Sequence, residues 1–313
     1  MIYAVLTALL FILMFVYFKI ADKFNIIDKP NERSSHTALT IRGGGIIFLV
    51  AIIIAGIMHP NYLLPVAGAA VIGIISFLDD RITLSSKIRI LFHLAAVTMM
   101  FWFLPVFIIM PWWGILALYI LVIGIINAYN FMDGINGITG LYSLVVLGGL
   151  QYVNINVFNF VERDLIWLPM ISCVVFLFFN FRKKAKCFAG DVGSVTMAFW
   201  IMFLLLRLIL DSGNPIYILF LTVYGIDSIF TIIHRLALRQ NIFDAHRLHF
   251  YQILANEQKV PHLVVSTIYA VVQALIICFI VGSGMHWLAI FLISTLPLAA
   301  VYMLKFRLMK VEA

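Results

Sequence analysis

Apolar residues run along this chain in long blocks with few charges inside them, and the polar residues gather in the gaps. A helix crossing hydrocarbon needs about 17 to 25 mostly apolar residues, because only a closed backbone is satisfied there. On that measure spans are predicted at 2–18, 43–59, 62–78, 88–106, 112–129, 138–154, 165–181, 192–210, 214–232, 262–281 and 286–304. The count is about 10 or 11, since Pro65 and Pro111 stand near the starts of the third and fifth runs and the neighbouring connections are short. The fold expected is all-α, a polytopic transmembrane helical bundle with residues 1–313 as a single integral-membrane domain. The opening run from Ile2 to Phe18 lacks a basic start and a small-residue cleavage site, so it reads as a retained first helix.

Composition agrees with that reading. The chain is 64% hydrophobic and 11% charged, with a mean hydropathy of +1.09, whereas soluble domains carry roughly 25% charged residues. Orientation follows from Lys and Arg, which are enriched in short cytoplasmic loops. They collect in alternate connections and at the end of the chain, leaving of the 21 only Arg163 and Arg207 for the other side or a helix interior. The N-terminus is therefore expected outside and the C-terminus in the cytoplasm. The net charge of +7 requires no nucleic acid, since anionic lipid headgroups and anionic substrates account for it. Cys173, Cys187 and Cys278 have no paired spacing and support neither a disulfide framework nor a zinc motif.

Against this background the acids stand out, because an ionisable group at membrane depth costs a few kcal/mol even on lenient scales. Asp79 and Asp80 end one apolar run, with Arg81, Lys87 and Arg89 following. Adjacent carboxylates repel, so the pair reads either as a solvated helix end or as a metal-facing or base-like Asp with phosphate-binding cations nearby. In Asn127-Ala-Tyr-Asn130-Phe-Met-Asp133-Gly134, Asn130 and Asp133 are three apart, and on a helical turn they would share a face and offer oxygens to one ion. Gly134, Gly137 and Gly140 would permit close backbone approach, as at a phosphate. Gly190-Asp191-Val192-Gly193-Ser194 begins the eighth run; Asp191 either caps that helix or serves a metal and a pyrophosphate at the positive helix end.

Downstream, Asp244, His246, Arg247 and His249 form a loop whose donors suit phosphate, Arg by its planar fork and His by ring N–H. Asp227 is a fifth acid at membrane depth, expected to support the metal site or to pair with Arg235. His36 and the segment Thr40-Ile41-Arg42-Gly43-Gly44-Gly45 place a cation and flexible backbone at a helix start, suited to phosphate or simply to packing. His59, His93 and His286 are expected in loops or helix interiors, outside a site.

In this order and on this topology the motifs resemble the polyprenyl-phosphate N-acetylhexosamine-1-phosphate transferase family, over about Asp28 to Gln252. The resemblance implies that a membrane-bound polyprenyl phosphate attacks the β-phosphate of a UDP-sugar, releasing UMP. It places Asp79, Asp80 and Asp191 as catalytic; Asp191, Asn130 and Asp133 toward Mg²⁺, with Mn²⁺ able to substitute; and Lys87, Arg42, Asn127, Asp133, His246, Arg247 and His249 toward substrate. Two departures narrow it. Asn136 stands where many relatives carry a second Asp, and the loop reads His-Arg-Leu-His without the denser histidine triplet of the peptidoglycan enzyme. The implied branch starts O-antigen or a related cell-envelope glycan, with undecaprenyl phosphate and a UDP-N-acetylhexosamine as partners at the cytoplasmic face of the bacterial inner membrane. A homodimer is left open.

The chemistry fits independently: two polyanions meet more easily when a divalent cation and Lys or Arg offset their repulsion. The competing reading is an ion-coupled secondary transporter, which would place its acids near the bilayer midplane with internal repeats. Here the acids cluster at one interface and no repeat is evident. A CDP-alcohol phosphotransferase would need a spaced Asp-Gly series that is absent around Asp133.

Overall fold

The computed structural model describes residues 2–28, 39–241 and 247–309. Eleven apolar helices occupy the eleven expected places: α1 (Ile2–Lys23), α2 (Ile46–Met58), α3 (Leu63–Ile82), α4 (Ser86–Phe103), α5 (Trp112–Phe131), α6 (Ile138–Asn156), α7 (Asp164–Asn180), α8 (Gly190–Ser212), α9 (Thr222–Ala237), α10 (His262–Gly282) and α11 (Trp287–Met303). Among the described residues nine helical segments are long and apolar enough to cross a membrane, while α2 and α7 are shorter. Pro65 and Pro111 do not break the bundle. Pro65 lies in the first turn of α3, and Pro111 immediately precedes α5, positions where a missing N–H costs little. Two-residue strands, Ile27–Asp28 and Thr40–Ile41, pair antiparallel at one end of the bundle.

The core is organised around α8, which is buried along almost its whole length and packs on α2, α3 and α5. Between helices in lipid, close packing replaces the hydrophobic drive available in water, and small residues let backbones approach. A Cβ at Gly45 would lie 2.3 Å from the Gly193 Cα, so this contact between the start of α2 and the first turn of α8 admits no side chain. Gly44 and Gly45 also donate backbone N–H groups to the carbonyls of Phe188 and Ala189, tying the segment before α2 to the segment before α8. The outward faces of α1, α4, α5 and α11 carry exposed Ile, Leu, Val and Phe, as lipid contact requires. Trp102, Trp112 and Trp113, all largely exposed, mark an interfacial belt at the turn between α4 and α5.

Arg163 and Arg207, set apart by the charge count, lie at the end of the bundle remote from the acidic motifs. Arg207 pairs with Asp211 at 2.7 Å there, and a Tyr3–Asp164–His59 cluster ties α1, α7 and the end of α2. All three cysteines are free.

Candidate active site

Four of the expected motifs meet at one end of the bundle because helix direction alternates. The C-termini of α3 and α5 therefore lie beside the N-termini of α4 and α8. Between them is a cavity of about 540 Å³ whose polar wall includes Asp79, Lys87, Arg89, Asn127, Asn130 and Asp191. Ile90 of α4, Phe131 of α5 and Ile232 of α9 line the same cavity while being 43%, 44% and 38% exposed. The cavity thus joins a charged floor to an apolar mouth on the outer surface.

The two adjacent acids are divided by their surroundings. Asp80 has a side chain 1% exposed, receives the Arg42 Nε at 2.7 Å, and accepts the backbone N–H groups of Asp191 at 3.1 Å and Val192 at 3.3 Å. It caps α8 and meets the positive end of the helix dipole. Gly190 makes this possible: its φ is +70°, and a Cβ there would fall 2.6 Å from Asp80 Oδ2. Asp79 instead faces the cavity, taking the Leu84 N–H at 2.5 Å and the Arg89 guanidinium at 3.1 Å.

With α8 capped from elsewhere, the Asp191 side chain is released toward the cavity. Asn130 lies within hydrogen-bonding reach of it and accepts the Ser194 hydroxyl at 2.6 Å, which orients its amide. The Arg42 guanidinium stands 3.8 Å from Asp191 and 3.9 Å from Asp28 as well as against Asp80. Burial works against its charge, but these three carboxylates outweigh that and hold it above its ordinary value. Arg42, expected to meet substrate, is placed as the counter-ion of the acidic floor.

Other expectations are corrected. Asn130 and Asp133 do not share a helical face, because α5 ends at Phe131 and the chain turns away; Asn130 reaches the cavity and Asp133 is not among its lining residues. Asp133 accepts the Thr139 hydroxyl at 2.5 Å, and burial, reinforced by the charge of Asp191, pushes its carboxyl up to about 7. Gly134, Gly137 and Gly140 are packed by Tyr251, Phe181 and Leu177, so the space beside them holds side chains and offers no phosphate cradle. Asn136 is a structural tie, its Nδ2 donating to the Arg182 carbonyl at 2.8 Å. Asp227 pairs with His249 at 3.2 Å, and Arg235 turns to the Gln240 and Asn241 oxygens.

His249 and Lys87 line the cavity. Arg247 is half-buried outside its described wall. His36, Asp244 and His246 lie outside the described residues. Arg89, read from the sequence as one of the cations that follow the acidic pair, stands in the wall; His93, one helical turn further and expected outside a site, lies buried in the wall, and a histidine on an apolar face gave no signal of it.

Among the described residues, no group of three or more His, Cys, Asp or Glu side chains converges as a metal cluster. The donor set still fits Mg²⁺, which binds through one or two carboxylates together with substrate phosphates and water. Asp191 and Asp79 present carboxylate oxygens to one cavity, with the Asn130 amide beside Asp191 and no thiolate among them.

Comparison with known proteins agrees with this geometry. The family model for glycosyl transferase family 4 matches residues 62–209, a range that holds Asp79, Asn130 and Asp191. A probable undecaprenyl-phosphate N-acetylglucosaminyl 1-phosphate transferase of Bacillus subtilis is 27% identical over 89% of this chain and 83% of its own length. Undecaprenyl-phosphate α-N-acetylglucosaminyl 1-phosphate transferases of Yersinia pestis and Escherichia coli are 27% and 28% identical, over 77% and 78% of this chain and 72% and 74% of their own lengths. The family match, these relatives and the cavity its motifs build together support the resemblance of the chain to the polyprenyl-phosphate N-acetylhexosamine-1-phosphate transferases.

Proposed function

We propose that this protein transfers an N-acetylhexosamine-1-phosphate from a UDP-sugar to undecaprenyl phosphate, releasing UMP and starting a lipid-linked glycan of the O-antigen or related envelope type. The observation that carries the reading is one cavity with a carboxylate, amide and cation floor and an apolar mouth between α4, α5 and α9. An isoprenoid tail stays in lipid at such a mouth while its phosphate reaches the floor. The sugar nucleotide enters from the aqueous side, taken as the cytoplasm of a bacterial inner membrane on the distribution of Lys and Arg. The names of the relatives make UDP-N-acetylglucosamine the first donor to test.

In this reading Lys87 and Arg89 bind the lipid phosphate and bring it to Asp79, which holds or removes its proton. Asp191 and Asn130 hold Mg²⁺ or Mn²⁺. When bound, that cation offsets charge on the diphosphate and eases departure of UMP. Arg42 and Asp80 keep Asp191 in place, and His246 and Arg247 of the basic loop contribute on the nucleotide-sugar side. Transport is the weaker reading, because the acids gather at one end of the bundle and Asp80 is consumed in capping a helix.

The test is purified protein with undecaprenyl phosphate, Mg²⁺ and a panel of UDP-N-acetylhexosamines, scored by UMP release. Release with at least one donor, dependent on the lipid, is expected. Silence across the panel from folded protein would overturn the proposal.

A further inference from the structure

Asp227 lies in α9, 2% exposed, and does not line the cavity. It accepts hydrogen bonds from five groups on three segments, α9 itself, residues 249–251 and α10. Oδ1 takes the Phe250 backbone N–H at 2.9 Å, His249 Nδ1 at 3.2 Å and the Thr231 hydroxyl at 3.3 Å. Oδ2 takes the Tyr269 hydroxyl of α10 at 2.7 Å and the Tyr251 N–H at 3.3 Å. The chain of contacts continues outward, with Thr231 meeting Tyr302 at 2.7 Å and the buried Lys305 ammonium donating to Tyr302 at 2.6 Å. A buried carboxylate this fully engaged is fixed in place, and its neighbours are fixed with it.

Of these neighbours His249 alone lines the cavity. A carboxylate on Nδ1 makes that nitrogen the donor and leaves Nε2 as the ring atom with which the imidazole can address a substrate. We propose that Asp227 is the positioning residue for His249: its carboxylate fixes Nδ1–H and the ring's place in the wall, so that His249, as an imidazolium, donates its Nε2–H to a phosphate oxygen of the substrate. This rests on the transferase reading above. The rival role, a loop anchor and nothing more, uses the same carboxylate through Phe250 N–H and Tyr251 N–H, so the experiment must separate the two.

Three variants and one double variant do so by steady-state kinetics of UMP release and by thermal melting: Asp227→Asn, His249→Gln, Tyr269→Phe and Asp227→Asn with His249→Gln. Asp227→Asn keeps the shape of the side chain but loses the charge that fixes Nδ1–H, and a fall in kcat/KM of about tenfold to a hundredfold is expected for one charge-assisted hydrogen bond. His249→Gln should fall comparably. In the double variant the losses should not multiply, because Asp227 acts through the imidazole that is already gone. Tyr269→Phe removes an anchor bond without touching His249, and should lower the melting temperature while leaving kcat/KM within about twofold. Multiplying losses in the double variant, or an Asp227→Asn enzyme as active as wild type, would overturn the inference while leaving the transferase reading intact. A wild type that releases no UMP would overturn both. Should Asp227→Asn fail to fold, Asp227→Glu tests the same coupling, and unchanged kinetics with a displaced carboxylate would count against it.

Discussion

Asp80 caps the helix that carries Asp191. Its carboxylate accepts the N–H groups of Asp191 and Val192 across 111 and 112 residues of sequence, and Arg42 at 2.7 Å completes the arrangement. Capping by Asp191 itself would have turned its side chain back onto the helix and away from the cavity. The neighbouring acids Asp79 and Asp80 therefore do different work, one toward the cavity and one beneath it. Asp80→Asn should destabilise the protein by roughly 1–3 kcal/mol through the buried charge pair and the cap, and activity should fall with it. Asp79→Asn should leave melting nearly unchanged and still remove most UMP release. Equal effects of the two variants on melting and on turnover would contradict this division.

Asp191→Asn is the complementary case. Since the backbone of residue 191, and not its side chain, takes part in the cap, the variant should melt close to wild type. Turnover should drop by about a hundredfold or more, the scale associated with losing a group that stabilises developing charge. EDTA should likewise stop UMP release, with Mg²⁺ or Mn²⁺ restoring it in wild type and failing to restore it in Asp191→Asn. Full activity in metal-free buffer would remove the cation from the proposal.

Much of the fold was legible because hydrophobic block length is a direct demand of the bilayer: each of the eleven runs has a helix, with boundaries displaced by a few residues except at α9, which starts eight residues late because Pro215–Leu221 is wound as 3-10 helix. The site was legible as a set of residues but not as a division of roles. Nothing in the local sequence distinguishes Asp79 from Asp80; the difference is made by Gly190 and Arg42, which reach Asp80 only in three dimensions. The i, i+3 argument failed at Asn130 and Asp133 because it assumed that the helix continued past Phe131. Asp227 was read as support for the metal site or as the partner of Arg235, two turns on, while its partners came from the segment around His249 and from α10.

Arg89 offers a test of the basic wall. It holds Asp79 at 3.1 Å and, being 44% exposed at the side chain, can exchange that carboxylate for a substrate phosphate. Arg89→Ala should raise KM for undecaprenyl phosphate about tenfold, with Arg89→Lys recovering part of it because charge without the planar fork gives only the point-charge share. A change confined to the UDP-sugar KM would move Arg89 to the other substrate.

The alternation of helices makes a labelling prediction. Ser85 begins α4 at the end that holds the site, and Asn156 closes α6 at the opposite end; both are exposed. Cysteines placed there in a background free of Cys278 should react with a membrane-impermeant maleimide from opposite faces of intact cells or inverted vesicles. On the Lys and Arg distribution Asn156 labels from outside. Both labelling from one face would overturn the helix count between them.

Asp133 supplies a prediction about pH. It lies between α5 and α6, and burial raises its carboxyl from the ordinary 3.8 to about 7. A folded-state value above that of the unfolded chain means that folding takes up a proton. The neutral acid therefore supports the fold at pH below the unfolded value, and that support is lost as pH rises through about 7. In EDTA, where no cation can compensate, wild-type melting temperature should fall between pH 5 and pH 8, and Asp133→Asn, neutral throughout, should show a smaller fall. The variant should then be the more stable protein at pH 8, by roughly 2–4 °C for each kcal/mol relieved. If Asp133 also serves the nucleotide sugar, the same variant should be less active at pH 8 although it is more stable, a charge kept at a cost in stability for what it does. Parallel melting curves for the two proteins across this range would mean that the Thr139 hydroxyl and surrounding water already satisfy the ionised carboxylate, and the raised value would have to be given up.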